Sequence, residues 1–75
     1  MTPHAAATQL LAGALMLGES DVPRDARLGS IEQWDSLAHA RLLLALEEKL
    51  GRQLTTEEAV AVESLDDIAR LLDRR

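Results

Sequence analysis

The sequence contains no cysteine, and His4 and His39 are its only histidines. The chain therefore has no disulfide framework, no thiolate nucleophile and no set of ligands for a structural zinc ion. Its 75 residues suffice for one domain, residues 1–75, with a modest core and no room for a large internal active site. The lack of cysteine is consistent with a reducing compartment, so we expect a cytoplasmic protein.

Aromatic residues and positive charge are also scarce. Trp34 is the only aromatic residue, whereas platforms for single-stranded nucleic acid need several aromatic faces. The chain has 8 Lys and Arg against 13 Asp and Glu, a formal net charge of −5 that repels phosphate backbones and anionic lipids. We therefore expect no nucleic-acid partner, and basic protein surfaces are the favoured partners.

Long apolar runs are missing as well. Residues 1–17 are apolar, but they lack the basic segment that opens a signal peptide, and they are too short to span a bilayer. We expect no membrane partner and a monomer in solution.

The apolar residues that are present are mostly Ala and Leu, which predict an all-α fold. Pro3 suits a helix start, and apolar residues recur at helical spacing up to Gly18, where we expect the first helix to end. A second helix is expected to begin after the N-cap Asp35 and to end before Gly51. Residues 18–35 between them form a long loop. Isolated apolar residues are expected to hold this loop on the core: Val22, Leu28, Ile31 and Trp34.

Two further helices are expected in the last third of the chain. Residues 55–58, with the sequence TTEE, form a capping arrangement for a short third helix that reaches about Val62. Ser64 and Asp67 start a fourth helix, and the arginines at 74–75 suit the negative end of its dipole.

The second helix carries two separate apolar faces. At about 100° per residue, one face is expected to lie on the core. It comprises Leu42, Leu43, Leu46 and Leu50, with His39 in the same arc. Leu37 and Leu44 lie about 150° from its centre. Single exposed leucines are common, but two aligned leucines with a charged rim are typical of a transient docking surface. The rim residues are Ala40, Arg41, Glu47 and Glu48.

Ser36 follows Asp35 at the N-terminal end of this helix. Unpaired N–H groups and the helix dipole favour an anionic group there, so a phosphodiester on the serine oxygen is well placed. Asp and Ser are also ordinary helix starters, and that explanation is sufficient for the pair taken alone.

A longer pattern surrounds this pair. Residues 28–51 read LGSIEQWDSLAHARLLLALEEKLG, residues 54–59 read LTTEEA, and residues 64–72 read SLDDIARLL. Together they resemble the acyl carrier protein family over essentially the whole chain. The resemblance implies a small four-helix bundle of the acyl-carrier-protein type, with a long loop between helices 1 and 2 and a short third helix.

The resemblance also implies a covalent cofactor. In the family, the serine of Asp-Ser-Leu receives 4'-phosphopantetheine from coenzyme A through a separate Mg-dependent phosphopantetheinyl transferase, and Ser36 matches that serine beside Asp35. The thiol of the arm then holds an acyl or aminoacyl thioester, which a loading enzyme supplies and a downstream synthase or transferase consumes. The positions that match the partner-facing residues of the family are Leu37, Leu44, Glu47 and Glu48.

The sequence departs from the family pattern early in the second helix. The family often has acidic residues there, whereas this chain has Ala38 and Arg41. This favours a dedicated polyketide, nonribosomal peptide or related secondary-metabolite pathway over the housekeeping fatty acid synthase, as does the similarity of Trp34 to discrete carriers of such pathways. We expect Arg41 to belong to the partner-binding residues.

Three alternatives remain open at this point. The first alternative is an aminoacyl or peptidyl carrier. The cargo is open because the residues of a carrier select its partner enzymes, and those enzymes select the cargo. A helical adaptor without an arm would use the same leucines and keep Ser36 as a cap residue. An enzyme with Ser36 as nucleophile is disfavoured, because no motif supplies a base and the chain has too little volume for a pocket. A carrier itself is not an enzyme.

Three other residues have structural explanations. Trp34 is expected to anchor the loop on the core, and His39 to be a packed or edge residue. Met16 is expected to fill a gap in the core. If the bundle opens a cleft for an acyl chain, we expect Leu46 and the leucines of the fourth helix to line it.

Overall fold

The computed structural model describes residues 2–73, which form four α-helices and contain no strand. The all-α class predicted from the composition is confirmed for these residues. The helices are α1 (Pro3–Leu15), α2 (Ser36–Leu50), α3 (Thr56–Ala61) and α4 (Leu65–Asp73). The arginines at 74–75, expected to complement the dipole of the last helix, lie outside the described residues.

Helix α1 begins as expected and ends earlier than expected. The Thr2 hydroxyl caps it by accepting a hydrogen bond from the Ala5 N–H at 3.1 Å. The prediction that it ends at Gly18 was wrong, because Met16 already adopts the left-handed conformation with φ of 60°. The Leu17 N–H then closes the turn on the Ala12 carbonyl at 2.9 Å. Met16 is 80% exposed, so the expectation that it fills a gap in the core was also wrong.

The loop between α1 and α2 is ordered by packing and by backbone hydrogen bonds. It opens with a short 3-10 turn at Glu19–Asp21. Val22 and Trp34 are buried and Ile31 is half-buried, as expected of residues that hold the loop on the core. The expectation was wrong for Leu28, whose side chain is 41% exposed. Its backbone makes the attachment instead, since the Leu28 N–H donates to the carbonyl of Glu63 at 2.7 Å.

Helix α2 has the predicted boundaries. Asp35 is its N-cap, and Asp35 Oδ1 accepts the Ala38 N–H at 2.9 Å. Gly51 ends the helix with φ of 74°, a conformation in which a side chain is strained.

Helices α3 and α4 begin at the predicted caps. Thr55 and Glu58 form a complete capping box, in which each side chain accepts a hydrogen bond from the backbone N–H of the other residue. The Ser64 hydroxyl donates to Asp67 Oδ2 at 3.0 Å and accepts the Asp67 N–H at 3.3 Å, which starts α4.

The core lies among α1, α2 and α4. Leu42 and Leu46 of α2 are fully buried, and Leu43 and Leu50 are packed against the core at its edge, which confirms the predicted inner face. Helix α3 buries no residue of its own within Thr56–Ala61. It is therefore the helix least tied to the apolar core, and it lies over α2 and α4 where the grooves described below are found.

Candidate functional site

Ser36 is the first residue of α2, and it is exposed. Within residues 2–73 its hydroxyl has no hydrogen-bond partner. Asp35 Oδ1 satisfies the N–H of Ala38 only, and N–H groups at the start of a helix have no acceptor within the helix. A free hydroxyl at the positive end of a helix can accept a phosphoryl group without breaking any contact of the fold.

Asp35 has a structural use whether or not Ser36 is modified. The residue is exposed, but its Oδ1 holds the first turn of α2 through the Ala38 N–H, and its backbone carbonyl accepts the His39 N–H at 2.8 Å. The carboxylate therefore fixes the turn on which Ser36 stands.

Trp34 holds the chain that leads into this turn. The indole is 1% exposed, and its Nε1–H donates to Nδ1 of His39 at 3.0 Å. The expectations that Trp34 anchors the loop and that His39 is a packed edge residue are confirmed by these contacts. Burial of the ring lowers the pKa of His39 below its ordinary value, so the neutral imidazole is favoured.

The outer face of α2 carries both predicted leucines in solvent. Leu37 is 63% exposed and Leu44 is 67% exposed. Arg41 and Glu48 are exposed too, and positions 37, 41, 44 and 48 follow one stripe of the helix. We call this set, Leu37, Arg41, Leu44 and Glu48, the outer stripe of α2. Arg41 and Glu48 make no ion pair within residues 2–73, so their charges remain available to a partner.

Glu47 differs from the expectation for a free rim carboxylate. It is half-buried, and its Oε2 accepts the Leu54 N–H at 2.8 Å. The carboxylate therefore holds the loop between α2 and α3, and contact of Glu47 with a partner stays a prediction. Two bonds to the Glu47 carbonyl, from Gly51 and Arg52, reinforce the same corner.

Val60 is an exposed apolar residue that sequence reasoning missed. It lies on α3 and is 70% exposed. The helix has six residues, which is too short for apolar periodicity to separate an outer face from an inner one. The lone Val between two alanines was the only signal.

A groove runs between α2 and α3. Its volume is about 420 Å³, and it is open to solvent. It begins at His39, one turn after Ser36, and passes Leu43 and Leu54 to Val60. The complete lining is His39, Leu43, Glu47, Leu54, Thr55, Thr56, Ala59 and Val60.

A second groove of about 420 Å³ lies between α3 and α4. Leu71 is among its lining residues, together with Val62 and the charged side chains of Glu58 and Arg70. The expectation that Leu46 lines a cleft was wrong for both grooves, because Leu46 is fully buried in the core. Of the α4 leucines that were expected to line a cleft, Leu71 lines this groove, whereas Leu65 and Leu72 are buried in the core and line neither groove.

The strongest ion pair near the site fixes α3. Both terminal guanidinium nitrogens of Arg52 donate to the Glu58 carboxylate at 2.8 Å. These hydrogen bonds, with help from the Thr55 N–H, lower the pKa of Glu58 to about 2. The pair therefore holds the start of α3 against the end of α2 at all but strongly acidic pH.

Comparisons with family models, with curated proteins and with solved structures give no match for this chain. Within residues 2–73, no group of three or more His, Asp or Glu side chains is arranged to hold a metal ion. No helix in this part of the chain is long and apolar enough to cross a membrane.

Proposed function

We propose that this chain is a carrier protein that bears a 4'-phosphopantetheine arm on Ser36 and delivers a thioester-bound acyl or aminoacyl group to partner enzymes. The observation that carries the proposal is the combination at the start of α2: an exposed, unpartnered Ser36 directly after the cap Asp35, beside an exposed leucine. The bundle would then be of the acyl-carrier-protein type.

The residues around Ser36 suit the cofactor. A phosphodiester on the serine oxygen lies at the positive end of α2, where the helix dipole stabilises negative charge. When bound, the arm supplies a terminal thiol that carries the cargo as a thioester. The chain's own residues hold the arm at one end: Ser36 bears it, and Asp35 fixes the turn that presents it.

The outer stripe of α2 supports docking of partners beside the arm. Leu37 and Leu44 offer apolar anchors, and Glu48 offers an unpaired negative charge. A tethered substrate reaches each docked enzyme at a raised effective concentration, so weak docking is sufficient. Three kinds of partner follow: a phosphopantetheinyl transferase, a loading enzyme, and a synthase or transferase that uses the cargo. We propose a cytoplasmic monomer that serves a dedicated pathway.

The test of the proposal is covalent modification by a transferase. The purified chain is incubated with coenzyme A, Mg²⁺ and a promiscuous phosphopantetheinyl transferase, and the intact mass is recorded. Ser36→Ala removes the acceptor. Ser20→Ala is the matched control, because Ser20 is also exposed and its side chain has no hydrogen bond within residues 2–73.

We expect one phosphopantetheine addition in the wild type and in Ser20→Ala, and none in Ser36→Ala. No addition under conditions in which a known carrier is modified in parallel would overturn the proposal.

A helical adaptor is the second candidate, because the exposure of Leu37, Leu44 and Val60 suits a docking protein with or without an arm. It predicts an unmodified Ser36, so the same mass measurement separates the two functions.

A further inference from the structure

Trp34 and His39 bracket the first turn of α2 on its inner side. Trp34 precedes the cap residue Asp35, and His39 is the fourth residue of the helix, so the two occupy the positions of a hydrophobic staple. Their ring centroids lie 6.1 Å apart with planes inclined at 30°. The indole Nε1–H donates to Nδ1 of His39 at 3.0 Å. This staple therefore differs from an ordinary apolar one, because one of its two rings can be protonated.

Trp34 also fixes the last part of the loop. Its N–H donates to the Ile31 carbonyl at 3.1 Å, and its own carbonyl accepts the Gly29 N–H at 3.4 Å. Ser36 stands two residues further along the chain, at the first position of the helix. Its position relative to the helix axis therefore depends on how firmly Trp34 is held against His39.

The hydrogen bond between the rings requires a neutral imidazole. While Nδ1 accepts from Trp34, the single ring hydrogen of His39 is on Nε2. Protonation places a hydrogen on both nitrogens, so the indole N–H then faces another donor. The added positive charge also lies in the first turns of α2, where the helix dipole is unfavourable for a cation. Both effects weaken the staple.

The carboxylates nearest to His39 along the helix and in the groove bond to backbone N–H groups and not to its imidazole. Asp35, one turn earlier, is engaged by the Ala38 N–H, and Glu47, which lines the same groove, is engaged by the Leu54 N–H. The α3 residues in that groove carry no titratable side chain; they are Thr56, Ala59 and Val60. Burial of the ring lowers the pKa of His39, so the neutral form prevails near pH 7.

We propose that the Trp34–His39 pair is a pH-sensitive staple that positions Ser36, closed while His39 is neutral and loosened when His39 is protonated. The proposal goes beyond the carrier function, because it concerns the position of Ser36 whatever that side chain carries. His39 is a positioning residue here, since it acts on Ser36 through Trp34 and the first turn.

The staple has a defined pH window. Because the folded state disfavours protonation of His39, the staple stays closed above the ordinary histidine pKa of about 6.5 and opens only below it. Circular dichroism of the same samples distinguishes the opening of the staple from general acid unfolding.

Trp34 is the only tryptophan, which makes its fluorescence a direct probe. The emission of the full chain is recorded from pH 8 down to the pH at which circular dichroism shows unfolding, and the backbone amide signals of Ser36 and Leu37 are followed by NMR in the same samples. His39→Asn retains an acceptor oxygen near the Nδ1 position and cannot titrate. His39→Gln is the second such variant and has a better helix propensity. His4→Asn removes the other histidine, which lies on α1.

We expect a single transition in Trp34 emission below pH 6.5 in the wild type and in His4→Asn, with the Ser36 and Leu37 signals following the same curve. In the folded His39 variants, as judged by circular dichroism, this transition should be lost. The proposal is overturned if emission is constant over this range, if the transition persists without His39, or if Trp34 responds while the Ser36 signal does not move.

Discussion

The carboxylate of Glu47 accepts the N–H of Leu54 at 2.8 Å, across the corner between α2 and α3. Its neighbour Glu48 is exposed and makes no such bond within residues 2–73. The two adjacent glutamates of α2 therefore have different roles. Glu47 stabilises the corner between α2 and α3, and Glu48 presents its charge to solvent.

Glu47→Ala should lower the free energy of unfolding by about 1 kcal/mol or more, because the half-buried Leu54 N–H loses its charged acceptor. Glu47→Gln keeps an acceptor and should lie between Glu47→Ala and wild type. Urea denaturation followed by circular dichroism measures the change. Glu48→Ala is the matched control, and its free energy of unfolding should stay within about 0.5 kcal/mol of wild type. Equal losses of stability at the two positions would contradict a structural role for Glu47 that Glu48 lacks.

Leu44→Ala should reduce docking without reducing stability, since the side chain is 67% exposed. We expect the kcat/KM of the transferase toward this variant to fall about fivefold, the effect of losing roughly 1 kcal/mol at an interface. Leu42→Ala on the inner face should instead cost about 2–5 kcal/mol of stability. Thermal melts measure the loss of stability expected for Leu42→Ala, and initial modification rates measure the loss of docking expected for Leu44→Ala. Unchanged kinetics for Leu44→Ala would remove this residue from the docking surface.

Arg41→Glu should strengthen recognition by basic partners. The guanidinium has no ion pair within residues 2–73 and stands between the two exposed leucines of the outer stripe. Replacing it with a carboxylate removes repulsion from a positively charged docking surface. With a transferase whose docking surface is basic, we expect the modification rate to rise, and the gain to shrink as salt is added. A gain that is independent of salt would argue against an electrostatic role for Arg41.

The Arg52–Glu58 pair should stabilise the fold only above strongly acidic pH. The pKa of Glu58 is lowered to about 2 in the fold. The unfolded state therefore binds more protons below the ordinary carboxylate pKa, and the stability from the pair, present above that value, is lost as the pH falls toward 2. The difference in urea midpoint between wild type and Glu58→Gln should be larger at pH 5 than at pH 2.5.

Glu57→Gln provides the control for this titration, because Glu57 is exposed and forms no ion pair within residues 2–73. At pH 5 its urea midpoint should lie closer to that of wild type than the midpoint of Glu58→Gln does. If the urea midpoint of Glu58→Gln differed from that of wild type by the same amount at both pH values, the result would contradict a stabilising ion pair between Arg52 and Glu58.

Helix boundaries with a side-chain cap were predictable from the sequence. Asp35, Thr55 and Ser64 each form the cap that their residue types favour, and Gly51 ends α2 where a left-handed residue is needed. The end of α1 was not predictable in this way, because Met is not a residue type that favours the left-handed conformation, and the turn is closed by backbone hydrogen bonds from Met16 and Leu17.

The inner and outer faces of α2 were also predictable, since its 15 residues give a clear helical period. The roles of Leu28 and Glu47 were not, because both are decided by hydrogen bonds to partners distant in sequence, Glu63 and Leu54. The partner of His39 was missed for a related reason. Its hydrogen bond to Trp34 depends on the path of a loop that has no periodicity.

The position of the modification is the most direct test of the carrier proposal. Trypsin cleaves after Arg27 and Arg41 and releases residues 28–41, a peptide that contains Ser30 and Ser36. After treatment with coenzyme A, Mg²⁺ and the transferase, fragmentation of this peptide by tandem mass spectrometry identifies the modified side chain. We predict that phosphopantetheine is on Ser36 alone. A modification on Ser30, whose hydroxyl is bonded to the backbone of Arg27, or an unmodified peptide would contradict the account.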